Sequence, residues 1–405
     1  MSGLAEDGGL FVPEEIPSYR PAALSSLGKM NFHDIAYETI LPYVKGEIPE
    51  AALRDIITSA YTFDAPVVTV GGRYVLELFH GPTAAFKDFG ARFMARTFAY
   101  LRRGETRPLK ILVATSGDTG GAVADGFFGV EGISVTVLYP QGRVSPLQER
   151  QIAGLGGNTR AVAVKGSFDD CQRLVKEAFA ALKKRVDISS ANSINIARLI
   201  PQAIYYTSSS ASVRKSAEDL PVFSVPSGNF GNLTAGLYAQ KMGAPIKRFI
   251  AATNINKTFP EYLESGVYKA RESQATLSNA MDVGSPSNFE RMNSHWTHKE
   301  MRELMLSTFV TDDDTKKTIS GVHKTCGYFL DPHGAVGWKA ADYFEKSEAL
   351  GDVVILETAH PAKFSETVEP ITGAVPMPES LAGVMRRAVH SDVIPVDIDA
   401  LISLL

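Results

Sequence analysis

Residues 221–242 read PVFSVPSGNFGNLTAGLYAQKM: a short apolar run, a loop with two glycines, and a segment of helical character. An apolar run that feeds a glycine-bearing loop and then a helix is the grammar of a buried parallel strand with a crossover connection. The same grammar recurs along the chain. KILVA (110–114) runs into TSGDTGG and then AVADGFF, and SVTVLYP (134–140) and AVAVKG (161–166) read as further strands. DDCQRLVKEAFAALKKR (169–185) follows, with Leu174, Ala178, Ala181 and Leu182 at helical spacing. KRFIAATN (247–254) and DVVILETAH (352–360) complete the set. Strands alternating with helices predict α/β architecture with parallel-rich sheets, whose ligands bind at the carboxyl ends of strands, in the loops that enter the next helix.

Bulk properties narrow the function. The chain has 405 residues, 44% of them hydrophobic and 21% charged, which fits a soluble protein of two or three domains in one compact body. A net charge of −4 gives no reason to expect nucleic acid or an anionic membrane, so an anionic substrate needs a locally built positive site. Cys171 and Cys326 are too few for a disulfide framework and read as reduced thiols of a cytoplasmic protein. No stretch reaches the ~18–20 apolar residues of a transmembrane helix, and MSGLAEDGGLFVPEEIP lacks the basic start and apolar core of a signal peptide. No HExxH or CxxC occurs, the eight histidines fall at no ligand spacing, and no metal is expected. Asp312–Asp314 reads as a helix cap, SSSAS (208–212) as a polar helix face or a short loop.

Three loops have the residues for chemistry. In SVPSGNFGN, Gly228 and Gly231 let backbone approach a ligand, and the N–H groups of the following helix suit a phosphate; a turn needed only for close packing has the same residues. The pattern is neither GxGxxG nor a P-loop. In ATSGDTGGAV, Ser116, Asp118 and Thr119 suit an anion or carboxylate pocket, and equally the ordinary capping of a helix. In HGPTAAFKDFGARF, Lys87 stands between apolar neighbours just where Met94, Phe98 and Leu101 announce a helix. Apolar surroundings and the positive end of a helix dipole both disfavour an ammonium, which frees the amine for Schiff-base chemistry; a lysine snorkelling past Phe86 and Phe89 to water is the plainer alternative. A nucleophilic lysine and a separate phosphate cradle together are what pyridoxal phosphate requires.

HGPTAAFKDFG, ATSGDTGGAVADGF, YPQGRVSPLQERQ, ANSINIARLIPQ, VPSGNFGNLTAG, SNFERM, DPHGAVG and ETAHPAKF resemble, in order, the motifs of the threonine synthase family, in its longer bacterial- and fungal-like branch. The resemblance spans about residues 3–366. It implies a fold-type-II pyridoxal-phosphate enzyme of tryptophan-synthase-β-like architecture. The implied division is a largely helical N-terminal segment (1–75), a first α/β lobe with the Schiff-base lysine (76–200), and a second, larger lobe with the cofactor phosphate loop (201–405). The implied reaction turns O-phospho-L-homoserine and water into L-threonine and phosphate.

By motif, the resemblance makes Lys87 the Schiff-base lysine and Gly228, Asn229, Phe230, Gly231 and Asn232 the phosphate loop, with Thr358 facing the pyridine nitrogen. Thr83, Ser116, Asp118 and Thr119 fall to the substrate side, and Arg198, Asn288 and Arg291 are candidates for the substrate phosphate. For each arginine the alternative is a salt bridge at a domain seam. Relatives in the wider fold have Asn where this chain has Asp118, beside the cofactor's phenolic oxygen; an ionised Asp118 would repel that oxygen, so it is either protonated or turned elsewhere. Family members usually have further residues before GLAEDGGLFVPE, which here starts almost at Met1. The implied enzyme is a monomer or homodimer. Two other readings stand beside it: another fold-type-II lyase, such as a threonine or serine dehydratase, and a silent binding protein that keeps the fold.

Overall fold

In this computed structural model, residues 3, 5, 7–182, 185–216 and 218–405 are described; Leu4 and Glu6 of the N-terminal motif and Lys183 and Lys184 of the 169–185 helix lie outside them. Two sheets organise the chain. Its strands are β1 (Val67–Val70), β2 (Arg73–Glu77), β3 (Leu109–Ala114), β4 (Ile133–Pro140), β5 (Thr159–Val164), β6 (Asp187–Ser190), β7 (Val222–Pro226), β8 (Arg248–Thr253), β9 (Met305–Phe309), β10 (Val353–Glu357) and β11 (Asp392–Ile394). The larger sheet runs β1-β2-β10-β7-β8-β9 and the smaller β11-β5-β4-β3-β6. Every pairing is parallel except β1 with β2.

The pattern follows from the side chains. VFSVP and VVILE are buried at every position, as strands covered by helices on both faces must be. A buried cluster of Leu112, Val162, Leu174 and Ala178 seats the helix Phe168–Leu182 on the smaller sheet. The N-terminal part folds as helices Pro21–Ser26, Phe32–Val44 and Glu50–Ala60. They are tied to the helix Ala203–Val213 through Tyr19, whose hydroxyl lies 2.8 Å from Thr39 Oγ1 and 2.7 Å from Thr207 Oγ1. SSSAS proves to be part of that helix, with Ser209 and Ser210 hydroxyls donating to Tyr205 and Thr207 carbonyls. The aspartates 312–314 fill the first turn of Asp312–Cys326, but the cap is Thr311.

The cuts expected at residues 75 and 200 need correction. β2 begins before residue 75 yet belongs to the larger sheet, and β11, near the C-terminus, completes the smaller one. A segment joins whichever sheet edge offers hydrogen-bond partners and apolar cover, irrespective of sequence distance.

Candidate active site

Between the two sheets lies a cavity of about 660 Å³. It opens at the carboxyl ends of β3, β6, β7 and β10, where a parallel sheet gathers its loops. Lys87 lines it as the first residue of the helix Lys87–Leu101. The loop before Lys87 is held on both sides. Asp88 accepts the Thr83 N–H at 2.9 Å and the Thr83 hydroxyl at 2.5 Å. Phe86 N–H donates to the Thr358 carbonyl at 2.8 Å and His360 N–H to the Ala84 carbonyl at 3.0 Å, which sets Lys87 opposite Thr358. Burial is the main influence on the Lys87 amine and brings it down to about 8; Asp118 opposes this, while Lys363 and Arg198 add to it. Such an amine is available as a neutral nucleophile near physiological pH.

Across the cavity, Gly228, Asn229, Phe230, Gly231 and Asn232 all contribute to the wall. The helix Gly231–Met242 starts here without a side-chain cap, so its first N–H groups are left for a ligand. Phe230 takes a left-handed conformation (φ 59°) to turn the chain into that helix. A Cβ on Gly228 would lie 2.7 Å from Met281 Cα, so the loop 279–281 packs directly on the cradle. Asn229 braces the other side, accepting from Ser287 N–H and donating to Ser193 Oγ at 2.6 Å. Asn232 accepts from the hydroxyls of Tyr205 (2.6 Å) and Tyr206 (2.8 Å), which leaves its buried Nδ2 donor without a partner. An amine, a hydroxyl (Thr358) and a helix N-terminus with an unpartnered buried donor thus share one cavity, and these residues fit pyridoxal phosphate.

Asp118 lines the cavity, and its surroundings favour the carboxylate form. Burial pushes its carboxyl up, but the ammonium groups of Lys363 and Lys87 and the hydrogen bonds of Lys363 and Gln148 outweigh this and hold it well below the usual carboxylate range. Its Oδ1 receives Lys363 Nζ at 2.8 Å and Gln148 Nε2 at 3.0 Å. One carboxylate oxygen is thus engaged by the wall. Ser116 and Thr119 line the cavity beside it. Arg198 also lines it; one of its nitrogens donates to the Ala191 carbonyl, its buried Nε is unpartnered, and burial brings the guanidinium down to about 10.

Three expected residues sit behind the wall. Thr83 is occupied by Asp88, and its carbonyl accepts Lys363 Nζ (2.7 Å) and Gln151 Nε2 (3.0 Å). Arg291 donates to the carbonyls of Phe11, Ser193 and Ile194 and to Asn288 Oδ1, while Asn288 Nδ2 donates to the Asn229 carbonyl at 3.0 Å. Both hold the cradle and the Ser193 loop, and neither is among the residues that line the cavity.

Other residues of the site escaped sequence reasoning. Lys363 is wholly buried, flanked by Ala362 and Phe364; the apolar setting that singled out Lys87 was equally visible there. His333 lines the cavity, with Nδ1 on Asp331 and Nε2 accepting Ala280 N–H at 3.2 Å, so it fixes the loop that backs Gly228. Arg271, paired with Glu261, stands at the wall as well. Each of these side chains has a partner on another segment. Among the described residues no cluster of acidic, histidine and cysteine side chains is arranged for a metal.

Comparison with known proteins agrees with this geometry. Residues 70–358 match the pyridoxal-phosphate dependent enzyme family, residues 1–61 the threonine synthase N terminus and residues 334–404 the threonine synthase C-terminal family. The chain is 46% identical over 388 residues to the threonine synthase of Haemophilus influenzae, covering 94% of this chain and 89% of that one. The crystal structure of threonine synthase from Escherichia coli superposes with a TM-score of 0.92 at 42% identity, over 99% of this chain and 94% of that one. The pyridoxal-phosphate-bound threonine synthase of Brucella melitensis gives 0.91 at 36% identity, over 99% and 94%. With its α/β sheets, its cavity at the strand ends and these matches along nearly its whole length, the chain belongs to the threonine synthase family of fold-type-II, pyridoxal-phosphate-dependent enzymes.

Proposed function

We propose that this chain converts O-phospho-L-homoserine and water to L-threonine and phosphate. The observation that carries the reading is the juxtaposition, in one cavity, of the Lys87 amine and the uncapped N-terminus of Gly231–Met242. Bound there, pyridoxal phosphate supplies an electron sink that makes the substrate's Cα and Cβ hydrogens acidic.

The chain's own residues do the rest. Gly228 to Asn232 hold the cofactor phosphate with backbone N–H groups and the free Asn232 amide. Thr358 offers the ring nitrogen a neutral hydroxyl. Lys87 would hold the cofactor and, once substrate is bound, moves protons one at a time: it takes the Cα proton and passes it to the substrate phosphate, takes one from Cβ as that phosphate leaves Cγ, and returns it to Cγ; after the hydroxyl of water adds at Cβ, it delivers the water's other proton to Cα. An amine brought down to about 8 can both accept and donate near neutral pH. Ser116 and Thr119 receive the substrate carboxylate, and Arg198, with its unpartnered Nε, the substrate phosphate. Asn288 and Arg291 support the cradle from behind. The reading includes a cytoplasmic location, in keeping with two free cysteines, and a monomer or homodimer. Among the described residues no helix is long and apolar enough to cross a membrane.

The test follows the visible absorbance of the purified protein with pyridoxal phosphate, together with phosphate and threonine release from O-phospho-L-homoserine. A Lys87→Ala variant is expected to lose turnover, and substantial remaining activity overturns the assignment. Deamination of threonine or serine without use of phosphohomoserine would move the chain to a dehydratase.

A further inference from the structure

Lys363 has no part in the reaction just described, yet its side chain is completely excluded from solvent. A buried ammonium is costly unless paired, and a buried pair is often no more stabilising than apolar side chains of the same volume. Its contacts span three segments. Nζ lies 2.8 Å from Asp118 Oδ1, at the start of the helix Asp118–Phe127, and 2.7 Å from the carbonyl of Thr83, in the loop that leads to Lys87. Lys363 itself follows β10 and Thr358. An apolar side chain could pack there; it could not supply charge.

The charge has a definite recipient. The groups whose charges reach the Lys87 amine are Asp118, Lys363, Arg198 and Asp331, two negative and two positive. Asp118 lines the same cavity as Lys87, and left alone it would hold the Lys87 proton in place. We propose that Lys363 is a positioning residue whose charge cancels that of Asp118 at Lys87, so that the amine stays ready to give up its proton even with a carboxylate beside it. Gln148, donating to the same oxygen, keeps the carboxylate turned toward Lys363. The proposal rests on the reading of Lys87 as the working amine, but its electrostatic content can be measured without that reading.

The experiment compares wild type, Lys363→Met, Asp118→Asn and the double variant. In each apoprotein the titration of Lys87 is read from the pH dependence of its acetylation, using the peptide that contains it. The visible band of each holoenzyme is followed over the same pH range. Lys363→Met leaves the carboxylate unopposed and is expected to raise the Lys87 midpoint by about one pH unit or more; Asp118→Asn leaves the ammonium unopposed and lowers it by a similar amount. The double variant, neutral at both positions, returns toward wild type. Merely structural loss cannot give shifts of opposite sign that cancel. Shifts of the same sign, or a double variant that fails to return, overturn the proposal. If Lys363→Met does not fold, adding it to Asp118→Asn must still raise the midpoint, and no rise is equally fatal. A wild-type protein that takes up no cofactor, yet shows the opposite shifts, would refute the role of Lys87 and leave the charge balance standing.

Discussion

A Cβ built on Gly334 would fall 1.5 Å from Oε2 of Glu357. The glycine therefore exists to admit a carboxyl group into the core beneath the cavity. Glu357 accepts the Asp331 N–H through its other oxygen, and Asp331 in turn holds His333. Replacing Gly334 with alanine would force the glutamate aside and loosen this chain of contacts. We expect a loss of about 2–3 kcal/mol, at the upper end of ordinary overpacking, read as a lower thermal midpoint with weaker cofactor binding. Unchanged stability would mean that the carboxyl moves freely.

Glu357 is wholly buried, with Oε2 unpartnered. Burial first, then the nearby Asp331 carboxyl, pushes its pKa well above the usual carboxylate range. The folded protein thus holds a proton that the unfolded chain releases. This contribution to stability is fully present below the unfolded value and is lost as pH rises through the folded one. Urea unfolding from about pH 5 to about pH 9 should show the wild type losing stability relative to Glu357→Gln as pH rises. A constant difference between the two proteins would show that the glutamate does not titrate differently on folding.

Phe230 sets two effects against each other. Its left-handed backbone costs roughly 1–2 kcal/mol for a residue with a side chain, which glycine would recover. Its ring, however, packs against Phe259 with centroids 4.5 Å apart, and deleting such a buried ring costs about 3–5 kcal/mol. Packing wins. Phe230→Gly is expected to destabilise by about 2–3 kcal/mol net and to weaken cofactor binding, measured by equilibrium dialysis. A more stable variant would show that strain governs this turn.

Arg198 and Arg291 should separate in kinetics. Arg291→Lys leaves backbone carbonyls of Phe11, Ser193 and Ile194 short of donors and should cost about 2–4 kcal/mol of stability and cofactor affinity. Its KM should recover once cofactor is saturating. Arg198→Lys should instead lower kcat/KM for phosphohomoserine by about tenfold to a hundredfold at saturating cofactor, the worth of one charge-assisted contact. A persistent KM defect in Arg291→Lys would move that guanidinium onto the substrate.

Much of this was legible in the sequence, for a physical reason. Strands buried on both faces, such as β3, β4, β7 and β10, are mostly apolar, and helix starts favour particular residues, so the strand–loop–helix pattern around SVPSGNFGN could be read directly. β6 (DISS), β9 (MLSTF) and β11 (DVI) are short or polar, and take their place from neighbours distant in the chain. The same limit applied to side chains. The role proposed for Lys87 rests on its local setting, whereas the contacts of Lys363, His333 and Arg291 depend on backbone groups and carboxylates contributed by other segments. Composition and spacing hold no record of those partners.

The pairing of β11 with β5 has a consequence for the order in which the protein can be made. On the ribosome, β3 to β6 emerge early, but Val162–Val164 must wait for Asp392–Ile394 before the edge of that sheet is covered. Until then a nascent chain presents a bare strand able to join a neighbour on the same messenger. A truncation just before residue 392 would make that exposure permanent, leaving Lys87, the phosphate cradle and Lys363 all present in a protein prone to aggregate.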